Sequence, residues 1–212
     1  MKSNAKIFEW PTVSTFMVIL LWTIYSTVAF TAIYGLCNHY ASLNPKLYQM
    51  YTQWELEIPL VPVMIYPYLS LNLLFLMSAF VLKEITSIKA FCSSLIVGAL
   101  FAGIFFYFFP GELGFIRTSV PGYDAIFNFM FQIDKPHNLY PSLHVTYSTL
   151  AVLAMIEQTK SKSFHSFLII WLVLIIISVV LVHQHHLFDI VTGFILALLL
   201  NKLIYSKIHK TK

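Results

Sequence analysis

Charge is scarce in this sequence. Only 10% of its 212 residues are Asp, Glu, Lys or Arg, whereas 58% are hydrophobic, and the mean hydropathy of +0.77 excludes an ordinary soluble globular domain. Arginine occurs once, at Arg117, and cysteine twice, at Cys37 and Cys92. The two cysteines fall near opposite ends of predicted membrane helices, so no disulfide joins them. Internal repeats, low-complexity tracts and interdomain linkers are all lacking, and residues 1–212 read as one membrane domain. What remains is apolar sequence in which any polar residue needs a reason, because burying one without partners costs roughly 2–7 kcal/mol.

About 20 apolar residues cross a hydrocarbon core, and on that basis the sequence predicts an all-α integral membrane protein with six transmembrane helices. The spans fall near 12–37, 59–82, 90–110, 141–157, 166–182 and 186–205. The first is too long for a signal-peptide core and lacks a small-residue cleavage site, so it reads as a retained helix. Pro59, Pro62 and Pro67 bend or break the start of the second. Ten lysines (Lys2, Lys6, Lys83, Lys89, Lys160, Lys162, Lys202, Lys207, Lys210 and Lys212) lie on the side of the termini, against Lys46, Arg117 and Lys135 on the other. Under the positive-inside rule this puts both termini in the cytoplasm and segments 38–58 and 111–140 outside. The net charge of +4 is thereby read as orienting lysines, and no nucleic-acid partner is expected. FFYFF at 105–109 reads as an interfacial aromatic belt.

Three outward places carry polar chemistry. Arg117, in the segment FPGELGFIRTSVPGYD, offers the planar two-pronged donor set that suits phosphate. In YPSLHVTYSTL, Pro141 suits a first helical position, and the N–H groups of Ser142, Leu143 and His144 would form an anion site at the helix start. In LVHQHHLFDIV, His185 and Asp189 are four apart and predicted to share a helical face, so the carboxylate can orient the imidazole and leave its other nitrogen free. An arginine, an anion-binding helix start bearing one histidine and a second histidine held by a carboxylate suffice for metal-free phosphoryl transfer. One imidazole attacks phosphorus while the other protonates the leaving oxygen.

These residues resemble the type 2 phosphatidic acid phosphatase superfamily, and more closely its inositol phosphorylceramide synthase-like branch. The P-S-x-H element is present as PSLH, Pro141 to His144, and the third element as SVVLVHQHHLFD, with Ser178, His185 and Asp189 in register and Gly193 one turn on. The resemblance spans roughly residues 105–195, taken as the catalytic core. It implies the six-helix bundle of that superfamily, with His185 as nucleophile, Asp189 as its orienter and His144 as general acid. Ser142, Leu143 and adjacent N–H groups would hold phosphate oxygens, and Arg117 matches the arginine of the first element. Pro110 stands where that element has lysine, Thr118 follows the arginine in place of proline, and Val179 replaces the arginine of the third element. The site is thus short of two cations. His183, four residues after Val179 and hence on its helical face, is expected to stand in for one, with Lys135 or His137 contributing from the loop.

The resemblance implies a membrane lipid phosphatase acting on a lipid phosphate or diphosphate through a phosphohistidine, with no metal and no cofactor. Transfer of the phosphoryl or headgroup phosphate to a lipid or sugar hydroxyl is the alternative, and phospholipid binding without turnover is another. A metal site of His183, His185, His186 and Asp189 is disfavoured because predicted helical spacing divides the four between two faces; a haem would require His144 and His185 as axial ligands. His186 is expected to be an interfacial bystander. Small size and the lack of a eukaryotic sorting signal lean towards a bacterial inner membrane, with the site in the periplasm.

Overall fold

The computed structural model describes residues 7–43 and 46–210. Among them there is no strand, and the one extended pairing is an isolated parallel bridge between Tyr48 and Gly111. The helices are α1 (Val13–Leu43), α2 (Ile65–Leu69), α3 (Leu71–Val81), α4 (Ile85–Phe108), α5 (Asp124–Ile133), α6 (Leu143–Gln158), α7 (Lys162–Leu181), α8 (Leu187–Leu200) and α9 (Ser206–Lys210). Five stretches are long and apolar enough to cross a membrane: Val13–Leu43, Pro62–Val81, Ile85–Phe108, Lys162–Leu181 and Leu187–Lys210. Five of the six expected spans therefore have counterparts. The remaining one, 141–157, corresponds to α6, whose 16 residues extend about 24 Å at the α-helical rise.

α6 is the centre of the bundle. Leu143, Val145, Tyr147, Leu150, Ala154 and Met155 are all buried, and α3, α4, α7 and α8 pack around them. Tyr147, Thr146 and Ser148 satisfy their hydroxyls on backbone carbonyls, whereas the buried Thr149 hydroxyl has no partner among the described residues. Tyr147 donates to the Leu95 carbonyl at 2.9 Å and Thr146 to the carbonyls of Ser142 and Gly193, each at 2.9 Å. The surrounding helices turn the opposite kind of surface outward: Phe101, Ile104, Ile170, Val173, Val191 and Ile195 are exposed, the apolar faces that a bilayer covers. Both cysteines are buried and free.

The proline-rich second span is segmented. Pro62 opens a short 3-10 turn over Pro62–Met64, α2 follows, and the chain steps at Ser70 before α3. The Ser70 hydroxyl donates to the Pro67 carbonyl at 2.6 Å and accepts the Trp171 indole N–H at 2.8 Å, so α7 supports the step. The third span begins at Ile85, five residues before its expected start, and the last runs through a π-helical turn over Asn201–Tyr205. The segment 111–140, read from sequence as an outward loop, contains α5, an amphipathic helix burying Phe127 and Met130 and exposing Phe129 and Ile133.

Connectivity gathers the C-terminal ends of α1, α4 and α7 with the N-terminal ends of α2, α6 and α8 at one end of the bundle. The three polar places all lie there. Lys83, Lys89, Lys160, Lys162, Lys202, Lys207 and Lys210 belong to the other end or its connections. Lys2, Lys6 and Lys212 lie outside the described residues.

Candidate active site

The start of α8 positions His185 and Asp189. His186 is the N-cap residue, Asp189 occupies the third helical position, and His185 precedes the cap. One carboxylate oxygen, Asp189 Oδ2, accepts the His186 backbone N–H at 2.9 Å and meets His185 Nδ1 at 3.2 Å. Both side chains are buried. The pair expected from helical spacing is thus present for a different reason: a carboxylate capping the helix N-terminus reaches back to the residue before the cap. With Nδ1 on the carboxylate, His185 Nε2 carries no hydrogen bond among the described residues.

α6 begins beside it. Ser142 is the N-cap, its hydroxyl accepting the Val145 N–H at 3.4 Å, and Pro141 precedes the cap, so the expected first-position role for Pro141 is replaced by this serine cap. The Ser142 N–H donates to the Asp189 carbonyl at 3.0 Å, which spends one of the three N–H groups expected to face an anion. Those of Leu143 and His144 have no acceptor among the described residues, as befits the first turn of a helix. A side-chain carbon added at Gly193 would lie 2.5 Å from the Ser142 carbonyl oxygen, so glycine there lets the two motifs touch. The half-buried His144 ring stands with its centroid 6.3 Å from that of His185 and stacks on Tyr68 at 4.2 Å.

Arg117 reaches the same end of the bundle. Its guanidinium donates to Gln184 Oε1 at 2.9 Å and to the Phe131 carbonyl at 3.4 Å, and it lies 4.7 Å over the Phe131 ring. Its buried Nε has no hydrogen-bond partner among the described residues. Burial pushes its pKa below the usual arginine range, and the nearby Asp134, Tyr68 and Tyr34 pull it back. The Asp134 carboxylate accepts hydrogen bonds from the hydroxyls of Tyr34 and Tyr68, linking α1, α2 and the end of α5.

The expected stand-ins for the missing cations behave otherwise. His183 lies beyond α7, which ends at Leu181, in a left-handed conformation with φ 56°. The helical-face relation to Val179 therefore does not hold. His183 Nε2 meets the Ile58 carbonyl at 2.9 Å, and its ring stacks on Phe115 at 3.9 Å. Burial lowers its pKa, opposed by the Ile58 carbonyl; the neutral imidazole is favoured, and a neutral ring supplies no cationic charge. Lys135 is exposed at the end of α5 and takes no part in these hydrogen bonds among the described residues. His137, lowered chiefly by burial, meets the Gly111 carbonyl at 3.4 Å.

His186 is a structural centre where a bystander was expected. It is buried, its Nε2 meets the Leu113 carbonyl at 2.6 Å, and its ring is stacked between Tyr51 and Phe115, at 4.3 and 4.7 Å. Its Nδ1 lies 3.5 Å from Glu55 Oε2, which accepts the Leu187 N–H at 2.8 Å. The other Glu55 oxygen accepts from the Thr52 N–H and hydroxyl, each at 2.9 Å. Burial raises the Glu55 pKa, but these donors and His186 outweigh it and leave the carboxyl below its ordinary range. His183 and His186 thus face different backbone carbonyls, and no group of three His, Cys, Asp or Glu among the described residues converges on a common point.

Glu55, Asp134, Tyr34, Tyr68 and Gln184 are the residues that sequence reasoning did not reach. Carboxylates flanked by aromatic and apolar residues were the available signal, since such a group stays ionised only with dedicated donors. In comparisons with family models and with curated proteins, the chain matches none.

Proposed function

We propose that this protein is a membrane lipid phosphatase of the type 2 phosphatidic acid phosphatase kind, a six-span bundle working through a phosphohistidine at the outer membrane face. The observation that carries the reading is the buried His185–Asp189 pair at 3.2 Å with a second imidazole 6.3 Å away at a helix start. A ring-centroid separation of this size puts both imidazoles within reach of one phosphoryl group.

His185 Nε2 attacks phosphorus. The P–O bond to the lipid breaks, and its electron pair stays on the leaving oxygen, which takes a proton from His144 as imidazolium. Water then attacks phosphorus, gives its proton to His144, and the N–P bond breaks to return His185. Asp189 holds the imidazole and stabilises its cation. Arg117 and the N–H groups of Leu143 and His144 stabilise the equatorial oxygens. Ser142 supports the helix start, and His183 and Lys135 are left out of the phosphate site.

The lysines gathered at the far end of the bundle support a cytoplasmic far end and an outward site, periplasmic if the source is bacterial. The exposed apolar faces beside the site support a substrate that arrives from the bilayer. Transfer to a hydroxyl is a second reading, favoured by the shortage of cations. Arg117 is the only arginine, and Asp134 lies close to it, so a singly charged phosphodiester is easier to hold here than a doubly charged monoester.

The test uses the full chain in detergent–lipid micelles with phosphatidic acid, phosphatidylglycerol phosphate, undecaprenyl diphosphate and an inositol phospholipid, each with and without a hydroxyl acceptor. Released phosphate supports hydrolysis, and a new phosphorylated lipid supports transfer. Either should fall by at least roughly a thousandfold in His185→Ala, the scale of losing a covalent nucleophile. No turnover on the whole panel by wild type would refute the enzyme reading and leave headgroup binding.

A further inference from the structure

His144 has the central proton-transfer role in the proposed reaction, yet its side chain accepts and donates no hydrogen bond among the described residues. What fixes its ring is Tyr68, stacked face to face at 4.2 Å with 20° between the planes. Tyr68 is itself fully buried, and its hydroxyl is held by Asp134 Oδ2. Asp134 is anchored a second time, through Oδ1, by the Tyr34 hydroxyl.

We propose that Tyr68 and Asp134 position His144 for proton transfer, Tyr68 by stacking on its ring and Asp134 by anchoring the phenol and supplying a counter-charge. The inference rests on the role proposed above for His144. An imidazole without a hydrogen-bonded orienter would otherwise sample several ring angles, and a reacting group displaced by about 1 Å loses on the order of a hundredfold in rate. The division of labour between the two histidines follows. His185 is held directly by a carboxylate, which fixes its tautomer and leaves a nucleophilic nitrogen. His144 is held by a stacked ring with the carboxylate one residue further away, which leaves both its nitrogens unblocked for giving and taking a proton.

The titratable groups facing His144 are Tyr68 from α2, Asp134 from the end of α5 and His185 from the loop before α8. Burial, the largest influence, disfavours the imidazolium of His144; Asp134 favours it, and His185, when charged, opposes it. Tyr34 and Arg117 act on Asp134. Arg117 offsets part of the Asp134 charge, so the two are expected to matter together.

The experiment reads His144 directly, by NMR titration of the full chain in nanodiscs with 13C-labelled histidine, its signal assigned by loss in His144→Gln. In Asp134→Asn the His144 midpoint should move to lower pH by about one unit. Tyr68→Phe keeps the ring and its volume but deletes the hydroxyl, and it should move the His144 midpoint in the same direction. With phosphatidic acid as substrate, both variants should lose kcat by roughly tenfold or more while KM stays within about twofold, and Asp134→Glu should recover part of the loss. An unmoved His144 midpoint in Asp134→Asn overturns the proposal; if that variant does not fold, an unmoved midpoint in Tyr68→Phe does so. The titration needs no turnover, so failure of the phosphatase reading registers separately as an inactive wild type.

Discussion

Replacing Gly193 by alanine adds one methyl group to α8, a change that by intrinsic propensity favours a helix by about 1 kcal/mol. The structure predicts the opposite sign. The new carbon would lie 2.5 Å from the Ser142 carbonyl oxygen, 3.2 Å from its nitrogen and 3.3 Å from its carbonyl carbon. All three are backbone atoms and cannot rotate away. Ordinary contact begins at 3.4 Å, so the start of α6 and α8 must part by about 0.9 Å. Overpacking of this kind costs roughly 1–3 kcal/mol. Parting also strains the hydrogen bonds from Ser142 N–H to the Asp189 carbonyl and from Thr146 to the Gly193 carbonyl, 3.0 and 2.9 Å, each worth about 1 kcal/mol. After the propensity gain, about 3 kcal/mol of destabilisation remains, or a melting temperature lower by roughly 5–10 °C. Because His144 lies on one side of this contact and His185–Asp189 on the other, turnover should fall by on the order of a hundredfold. Fluorescence-detected unfolding in detergent and phosphate release measure the two effects. Gly35→Ala is the control, since a carbon added there meets nothing within 4 Å, and it should melt at or above the wild-type temperature. A Gly193→Ala protein as stable as wild type would refute the reasoning.

The Glu55 carboxyl, held below its ordinary range, contributes stability that is full above the unfolded-state glutamate pKa and is lost as the pH falls through the folded value. Melting temperature should therefore decline as wild type is acidified from about pH 7 to about pH 3, and Glu55→Gln should melt lower at neutral pH with a flatter acid slope; equal slopes in the two proteins would count against a stabilising role for the Glu55 carboxylate. Arg117→Lys keeps the charge but loses the fork that spans Gln184 and the Phe131 carbonyl. It should raise KM or lower kcat by roughly ten- to a hundredfold with a stability change under about 1 kcal/mol, and unchanged kinetics would remove Arg117 from the phosphate site.

Five of the six expected spans and the His185–Asp189 contact were legible in the sequence because both rest on local pattern. Apolar run length located five membrane helices, and a four-residue spacing brought out His185 and Asp189. The local reading stopped where the chain left the helix. His183 sits in a left-handed turn two residues beyond the end of α7, so an argument from helical faces assigned it to the wrong neighbour, and the same turn brings the N–H groups of Gln184 and His185 to the Val179 carbonyl at 3.0 Å. The remaining contacts have no local signature. Tyr34 and Tyr68 meet Asp134 across sequence separations of 100 and 66 residues, and Glu55 meets Leu187 across 132. Each has one partner, Asp134 or Glu55, in a connecting segment whose path depends on how the helices have already packed, and no periodicity encodes such a path.

The length of α6 ties these loops to the chemistry proposed at their base. At about 24 Å it is shorter than the roughly 30 Å of a hydrocarbon core, while α4, with 24 residues, extends about 36 Å. At least one end of α6 therefore lies within the depth its neighbours span. A helix start within that depth cannot leave its N–H groups to lipid, which offers no acceptors. Protein must cover it, and the covering elements are the polar ones: the turn at 183–186, the segment around Arg117 and the end of α5 with Asp134. His185 and Asp189 are buried there and His144 is half-buried, so charge from Arg117, Asp134 and Asp189 acts on the two imidazoles with less screening than at an open surface. Sparse charge then becomes workable. A single arginine in a covered site bears on a phosphoryl group more strongly than it would in the open, which is what the proposed phosphoryl transfer would require of a chain with so few cations.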